Sequence, residues 1–168
     1  MNRLLLSLTQ HHRTNLSHAF TTISRTNMPT YTGSCYCKEI TYTVTLDSAD
    51  AGRTSICHCS NCRKWFGTPF GITTKIPNSS LNITGGKPVV HMSDNGSGTS
   101  LHREFCGTCG SGILEFGGNA GDNTYITYGT FDEQGLEELG PKGEFYCKYR
   151  RSWMPEIPGT FQKKEIKE

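Results

Sequence analysis

Seven of the eight cysteines in this 168-residue chain stand in three tight groups: Cys35-Tyr-Cys37, Cys57-His-Cys59-Ser-Asn-Cys62, and Cys106-Gly-Thr-Cys109 followed by Gly110. Cys147 stands alone. No other feature restricts the fold as strongly, because clustered thiols must cross-link, react or converge on an ion. Thiols one or two residues apart rarely satisfy disulfide geometry with each other, yet they converge readily on a metal about 2.3 Å from each sulfur. A redox role for Cys106–Cys109 would need a thioredoxin-like βαβ setting, which the chain does not show, and structural disulfides would need an export signal. Metal, and zinc in particular, is the economical reading.

The spacing divides the ligands. The C-x-C and C-x-x-C pairs, Cys35, Cys37, Cys106 and Cys109, sum to four sulfurs and would close a tetrahedral structural site, with Gly110 suited to a tight knuckle that needs a positive φ. The triplet Cys57, Cys59 and Cys62 offers three sulfurs and leaves one position for water or a substrate atom, as catalytic zinc requires. Two zinc ions per chain are therefore expected. Spacing alone leaves open that Cys147 or a histidine closes the triplet and makes both metals structural.

A chain of this length makes about one domain. Its 19 glycines and 34% hydrophobic share describe a turn-rich chain that gains from being stapled. Residues 1–28 form a leader that is disordered or resembles a mitochondrial transit peptide: arginine-bearing, serine-rich and free of acid, since the first acidic residue is Glu39. The run "LLLSL" is too short for a secretory core of about 7–15 residues, and no stretch approaches the roughly 18 apolar residues of a membrane span. A cytoplasmic or mitochondrial location follows, with the folded domain over 29–155 and a polar tail over 156–168. Of 17 Lys+Arg against 15 Asp+Glu, Arg3, Arg13 and Arg25 lie in the leader, which leaves 14 against 15. That balance argues against a nucleic-acid binder, and no membrane association is expected.

"ITYTVTL" (Ile40–Leu46) alternates apolar residues with threonines, the period of a strand with one buried face. Further strands are predicted at Arg53–Cys57, Phe70–Ile76, Leu81–Thr84, Leu101–Phe105, Gly112–Phe116, Thr124–Phe131 and Glu144–Tyr149, between clusters of Gly, Pro, Asn and Asp. "DEQGLEELG" predicts one short helical turn, and "SDNGSGTS" (Ser93–Ser100) a mobile loop near the site. The fold class is mainly β with little helix.

His58 sits between two ligands, but an extended backbone points it away from the sulfurs, toward packing or an outer role. His91 and His102 carry no spacing signal and read as surface or core residues. No Ser/His/Asp or paired-carboxylate arrangement emerges.

In this order, "GSCYCKEITYTV", "CHCSNCRKWFGTPF", "FCGTCGSGILEF", "GTFDEQG" and "KYRRSW" resemble the glutathione-dependent formaldehyde-activating enzyme family, which also includes the centromere protein V-like proteins. The resemblance runs from about Thr30 to Trp153. It implies an Mss4-like, zinc-stapled β fold, with structural zinc on Cys35, Cys37, Cys106 and Cys109 and catalytic zinc on Cys57, Cys59 and Cys62. Two departures stand out. Family members often carry a histidine where this chain has Glu144, and Cys147 replaces a usual apolar residue, reading as an inert buried thiol or a fourth ligand.

The implied activity is a zinc-dependent carbon–sulfur lyase that joins or splits a thiol and a small aldehyde, here glutathione and formaldehyde in S-hydroxymethylglutathione. An anionic thiol would want a cation beside the metal, and Arg63 or Lys64, just after the third ligand, is the nearest. The competing class is a noncatalytic zinc module that binds a protein partner, as the Mss4-like and centromere relatives imply; it predicts two closed metals. A thiol-redox or metal-buffer protein is a third reading and predicts cysteines that cycle with oxidant.

Overall fold

The computed structural model describes residues 28–95 and 98–166. The leader expected over 1–28 thus lies outside the described residues except for Met28. Among the described residues, eleven strands form two sheets: a three-stranded sheet in the order β1-β2-β5 and an eight-stranded sheet in the order β11-β10-β3-β4-β9-β8-β7-β6. The described residues hold two short α-helices, and the chain is mainly β, as its sequence indicates.

The small sheet is antiparallel: β1 (Thr30–Ser34) pairs with β2 (Thr41–Thr45), which pairs with β5 (Leu81–Gly85). Its alternation does what period two requires. Tyr31, Tyr42 and Val44 turn inward, while the threonines between them face out. The large sheet is built from β3 (Arg53–Cys57), β4 (Gly71–Pro77), β6 (Val89–Asp94), β7 (Ser100–Phe105), β8 (Gly112–Gly117), β9 (Asn123–Thr127), β10 (Pro141–Phe145) and β11 (Phe161–Gln162). One face of this sheet sends Thr54, Ile56, Thr74, Ile76, Thr124 and Ile126 inward against the small sheet. The buried threonines Thr54 and Thr74 satisfy one another at 2.7 Å, so the polar pair is buried without an orphan. Ile40, Leu46, Ile113, Phe131 and Leu139 complete the core.

The opposite face carries the polar row. Direct pairings run Arg53 to Lys75, Lys75 to Tyr125, Tyr125 to Glu115, Glu115 to Arg103 and Arg103 to His91, so one side chain from each of six strands shares this face. Helix α1 (Ser60–Phe66) belongs to this side of the sheet through Trp65, which packs against Phe105 and stacks on His91, with the Arg103 guanidinium 4.9 Å from the indole. Helix α2 (Glu133–Glu138) supplies the helical turn expected in "DEQGLEELG".

Several elements depart from the sequence reading. Strands β1 and β6, helix α1 and the edge strand β11 were not anticipated, and the strand expected at Glu144–Tyr149 lies earlier, at Pro141–Phe145, with a 3-10 turn over Cys147–Tyr149. The expected loop over Ser93–Ser100 is the β6–β7 connection; its ends belong to the strands, and the Asn95 N–H bonds the Thr99 carbonyl. Within the polar tail expected over 156–168, β11 pairs in parallel with β10 and joins the large sheet.

Candidate metal centres

The sulfurs of Cys35, Cys37, Cys106 and Cys109 lie within 4.8 Å of one another. Cys35 and Cys37 leave the end of β1, and Cys106 and Cys109 occupy the turn between β7 and β8, so the cluster ties the small sheet to the large one. Two tight turns present the sulfurs. Lys38 (φ 64°) and Gly110 (φ 76°) both adopt the left-handed region, and their N–H groups bond the carbonyls of Cys35 and Cys106 at 3.0 and 2.9 Å. The Ile40 N–H also donates to the Cys35 sulfur at 3.2 Å, a contact that favours thiolate. Cys35 and Cys106 are buried in the core.

Cys57, Cys59 and Cys62 form the second group, again with all sulfurs within 4.8 Å. Cys57 ends β3, on the polar face of the sheet. Cys59 is the N-cap of α1, and its sulfur accepts the Cys62 N–H at 3.4 Å. The helix stops at Gly67 (φ 63°), so one short turn presents two of the three ligands.

The donor sets suit a divalent cation. A tetrahedral ion bound at about 2.3 Å to each sulfur requires sulfurs about 3.8 Å apart. The recorded separations, 3.5 Å for Cys35–Cys37 and 3.7 Å for Cys37–Cys106, are close to that edge. The thiols of the triplet oppose one another. Hydrogen bonds from Cys57 and Cys62 bring Cys59 down to about 2, while the Cys59 neighbour pushes Cys57 up to about 12, and both neighbours push Cys62 upward. Three adjacent thiolates cannot ionise together without a positive charge among them, and a bound dication is the usual source.

The triplet opens on a cavity of about 400 Å³ that also meets Asn61, Arg103, Glu115, Tyr125 and Tyr146. Arg103 donates from Nε to Glu115 Oε2 at 3.1 Å and from its terminal nitrogen to Asn61 Oδ1 at 3.0 Å. Asn61 in turn donates to the Asn95 carbonyl, so the β6–β7 connection borders the site. Burial raises the Glu115 carboxyl above its ordinary range; Arg103 opposes the shift and the Cys59 charge adds to it. Tyr146, at φ 56°, sits in the left-handed region beside the sulfurs, an uncommon backbone state for a bulky residue. A larger cavity of about 710 Å³ lies beside Trp65, His91 and Ser111, but no sulfur faces it.

Arg63 lines an adjoining cavity of about 600 Å³ that shares Cys59, Asn61, Asn95 and Tyr146 with the first. Its Nε is buried without a hydrogen-bond partner. Lys64 is exposed and borders neither cavity. His58 is fully buried and points away from the sulfurs, its Nε2 2.7 Å from Glu144 Oε2. Glu144 also accepts from the Ile157 N–H at 2.7 Å, Gln162 at 2.9 Å and Arg150. The half-buried Cys147 turns its thiol to the Glu144 carbonyl and to Gln162, outside the triplet. His91 and His102 stack on Trp65 and Phe116 and join neither sulfur group. Sequence reasoning missed Glu115, Arg103 and Asn61: strand register sets Arg103 opposite Glu115, 12 residues on, and helix α1 brings Asn61, 42 residues away, to the same guanidinium.

A mainly β chain with clustered cysteines of this kind defines a class, and comparison with known proteins places it. Residues 30–149 match the glutathione-dependent formaldehyde-activating enzyme family, and the chain belongs to that family. A Schizosaccharomyces pombe protein named as an uncharacterized lyase is 34% identical over 101 residues, covering 59% of this chain and 66% of the relative. The chain thus spans slightly under two thirds of that relative's length. A crystal structure of a Rhodobacter sphaeroides protein matches at TM-score 0.50 and 20% identity, over 65% of this chain and 94% of the other, a likeness of fold. No helix among the described residues is long and apolar enough to cross a membrane.

Proposed function

We propose that the chain is a zinc-dependent carbon–sulfur lyase that forms and cleaves a thiol–aldehyde adduct, with glutathione and formaldehyde as the natural pair, and that residues 29–155 are its working domain. One observation carries the reading. Three sulfurs face a cavity, while Cys147 and His58, two residues that could have closed the site, are engaged elsewhere, on Gln162 and Glu144. Cys57, Cys59 and Cys62 would hold the catalytic zinc, and Cys35, Cys37, Cys106 and Cys109 the structural one. Zinc at the triplet, when bound, supplies a Lewis acid that keeps an incoming thiol ionised near neutral pH.

The chain's own groups do the rest. The Arg63 guanidinium, with its buried unpartnered Nε, is the better placed of the two cations to take a carboxylate of an anionic thiol. Asn61, held between Arg103 and the Asn95 carbonyl, fixes the wall between the two cavities. The His58–Glu144 pair braces the loop that carries Cys57 and Cys59, through a His58 N–H bond to the Phe145 carbonyl and a ring bond to the carboxylate.

The thiol–aldehyde addition proceeds without an enzyme, so the test is kinetic. Exchange spectroscopy of a glutathione–formaldehyde mixture with the zinc-loaded protein should show faster interconversion than the same mixture with Cys59→Ser protein. Equal rates would rule out lyase catalysis on this pair. Two zincs per chain, with one lost first to a chelator while the fold survives, is the companion expectation; tight retention of both favours the noncatalytic module.

A further inference from the structure

Joining a thiol to an aldehyde moves a proton. The thiol must lose one and the carbonyl oxygen must gain one, and the groups bordering the 400 Å³ cavity decide where it travels. Glu115 is the carboxylate on that border. Direct pairing with Arg103 on β7 and Tyr125 on β9 puts it on the same sheet face as Cys57, which lies four residues along β3 from Arg53 in the same row. Arg103 holds its Oε2 at 3.1 Å, whereas Oε1 accepts no hydrogen bond among the described residues. One oxygen is fixed and the other is free for chemistry.

We propose that Glu115 is the proton carrier of the reaction, a step that rests on the lyase reading above. In the forward direction the thiol S–H proton passes to Glu115 Oε1. The sulfur then gives an electron pair to the carbonyl carbon, forming the C–S bond, while the C=O π pair moves onto oxygen. Glu115 returns the same proton to that oxygen. The sum is one thiol plus one aldehyde giving one hemithioacetal, and cleavage runs the steps in reverse with no oxidant or reductant.

The other titratable groups facing this carboxylate are less suited. Arg103 on β7 is a permanent cation. Tyr125 on β9 and Tyr146 beyond β10 are phenols that burial raises further, so neither accepts a proton near neutral pH. Cys57, Cys59 and Cys62 are committed to the ion. His58 faces the other way, onto Glu144. Burial of Glu115 acts in the useful direction, since it makes the carboxylate a better acceptor than a surface glutamate.

The test counts protons as well as turnovers. Zinc-loaded full-length protein is titrated calorimetrically with glutathione at pH 7 in two buffers of different ionisation enthalpy. A free thiol of pKa about 8.5 still holds its proton at this pH, so binding as thiolate must release one. Wild-type protein should pass well under half of that proton to the buffer, because Glu115 keeps it, and Glu115→Gln should pass nearly all of it. The same variant should retain zinc and thiol affinity while its exchange rate falls about 100-fold or more. A full proton reaching the buffer from wild-type protein overturns the proposal without any variant, so a misfolded Glu115→Gln does not shield it. Equal, low release from both proteins also overturns it, because another group then takes the proton. Absence of thiol binding removes the lyase reading itself, and this proposal with it.

Discussion

The two sulfur groups use the same ligand and differ in everything around it. The four-cysteine group is built from two turns at the junction of the sheets, with Cys35 and Cys106 buried in the hydrophobic core. The three-cysteine group sits at a strand end and a single helical turn above a polar sheet face, beside a cavity. In the first, four sulfurs would suffice to close a tetrahedral site, and two of them lie in the apolar core. In the second, three sulfurs would leave a position, and the charged side chains of Arg103 and Glu115 border the same cavity. The lesson is that ligand number and burial together, more than ligand type, separate a staple from a reactive centre.

The sharpest way to break this comparison is to remove one sulfur from each group. Cys106→Ser should abolish cooperative unfolding, because structural zinc supplies on the order of 10 kcal/mol in small zinc domains. Cys59→Ser should keep the fold while losing one ion and the accelerated exchange. Far-ultraviolet dichroism on heating, with metal content by mass spectrometry, checks both. If the two variants unfold alike, the division into staple and centre fails.

The next largest effect is expected at Glu144, which connects the reactive loop to the C-terminal segment. Replacing it with alanine leaves His58 and Arg150 without their buried partner, a change that costs about 3–5 kcal/mol. Its titration has a definite sign. Burial pushes the carboxyl up, but hydrogen bonds from Ile157, Gln162 and His58 and the charge of Arg150 outweigh it and hold the group at about 2, below its ordinary 4.5. The folded state therefore favours the ionised form. Its contribution is complete above pH 4.5 and is lost as the pH falls toward 2. Urea unfolding at pH 6 and pH 3 should show wild-type protein losing more stability than Glu144→Gln.

A third change tests whether the centre can be disturbed without the staple. A β-carbon on Gly71 would lie 2.5 Å from the Phe66 ring and 3.1 Å from the Cys62 β-carbon, so Gly71→Ala must push α1 and its ligand outward. Chelator competition should then release the triplet's ion about ten times more readily and leave the other ion in place. Loss of both ions together would mean that the two groups are coupled through β4.

Much of this difference was legible in the residues. Metal ligands need short spacings, so the cysteine groups show in the sequence, and Tyr42 and Val44 alternate with threonine because one face of β2 is buried. Helix α1 was not visible: its seven residues are too few to establish a period, and its N-cap is a thiol sulfur rather than the usual side-chain oxygen. Strand β6 is an edge strand whose "VVHM" is exposed throughout, so no alternation marks it. His58 and Glu144 lie 86 residues apart, and no local pattern joins them. Arg103 and Glu115 carry no spacing signal that joins them; register alone sets them opposite each other, on the border of the cavity that the triplet faces.

The smallest expected effects come from a matched pair of glycines. Gly110 in the four-cysteine knuckle (φ 76°) and Gly67 at the end of α1 (φ 63°) are both left-handed, and a β-carbon on either would meet nothing within 4 Å. Alanine therefore adds the same backbone cost to both, about 1–2 kcal/mol, with no clash. The consequences should differ. The Gly110 N–H bonds the Cys106 carbonyl at 2.9 Å inside the staple, so Gly110→Ala should lower the global unfolding free energy by that amount. Gly67→Ala should instead fray α1, raising amide exchange at Arg63–Phe66 and loosening the Cys62 ion, with a smaller change in global stability. Hydrogen exchange by mass spectrometry resolves the two, and identical global losses would show that α1 is part of the cooperative core.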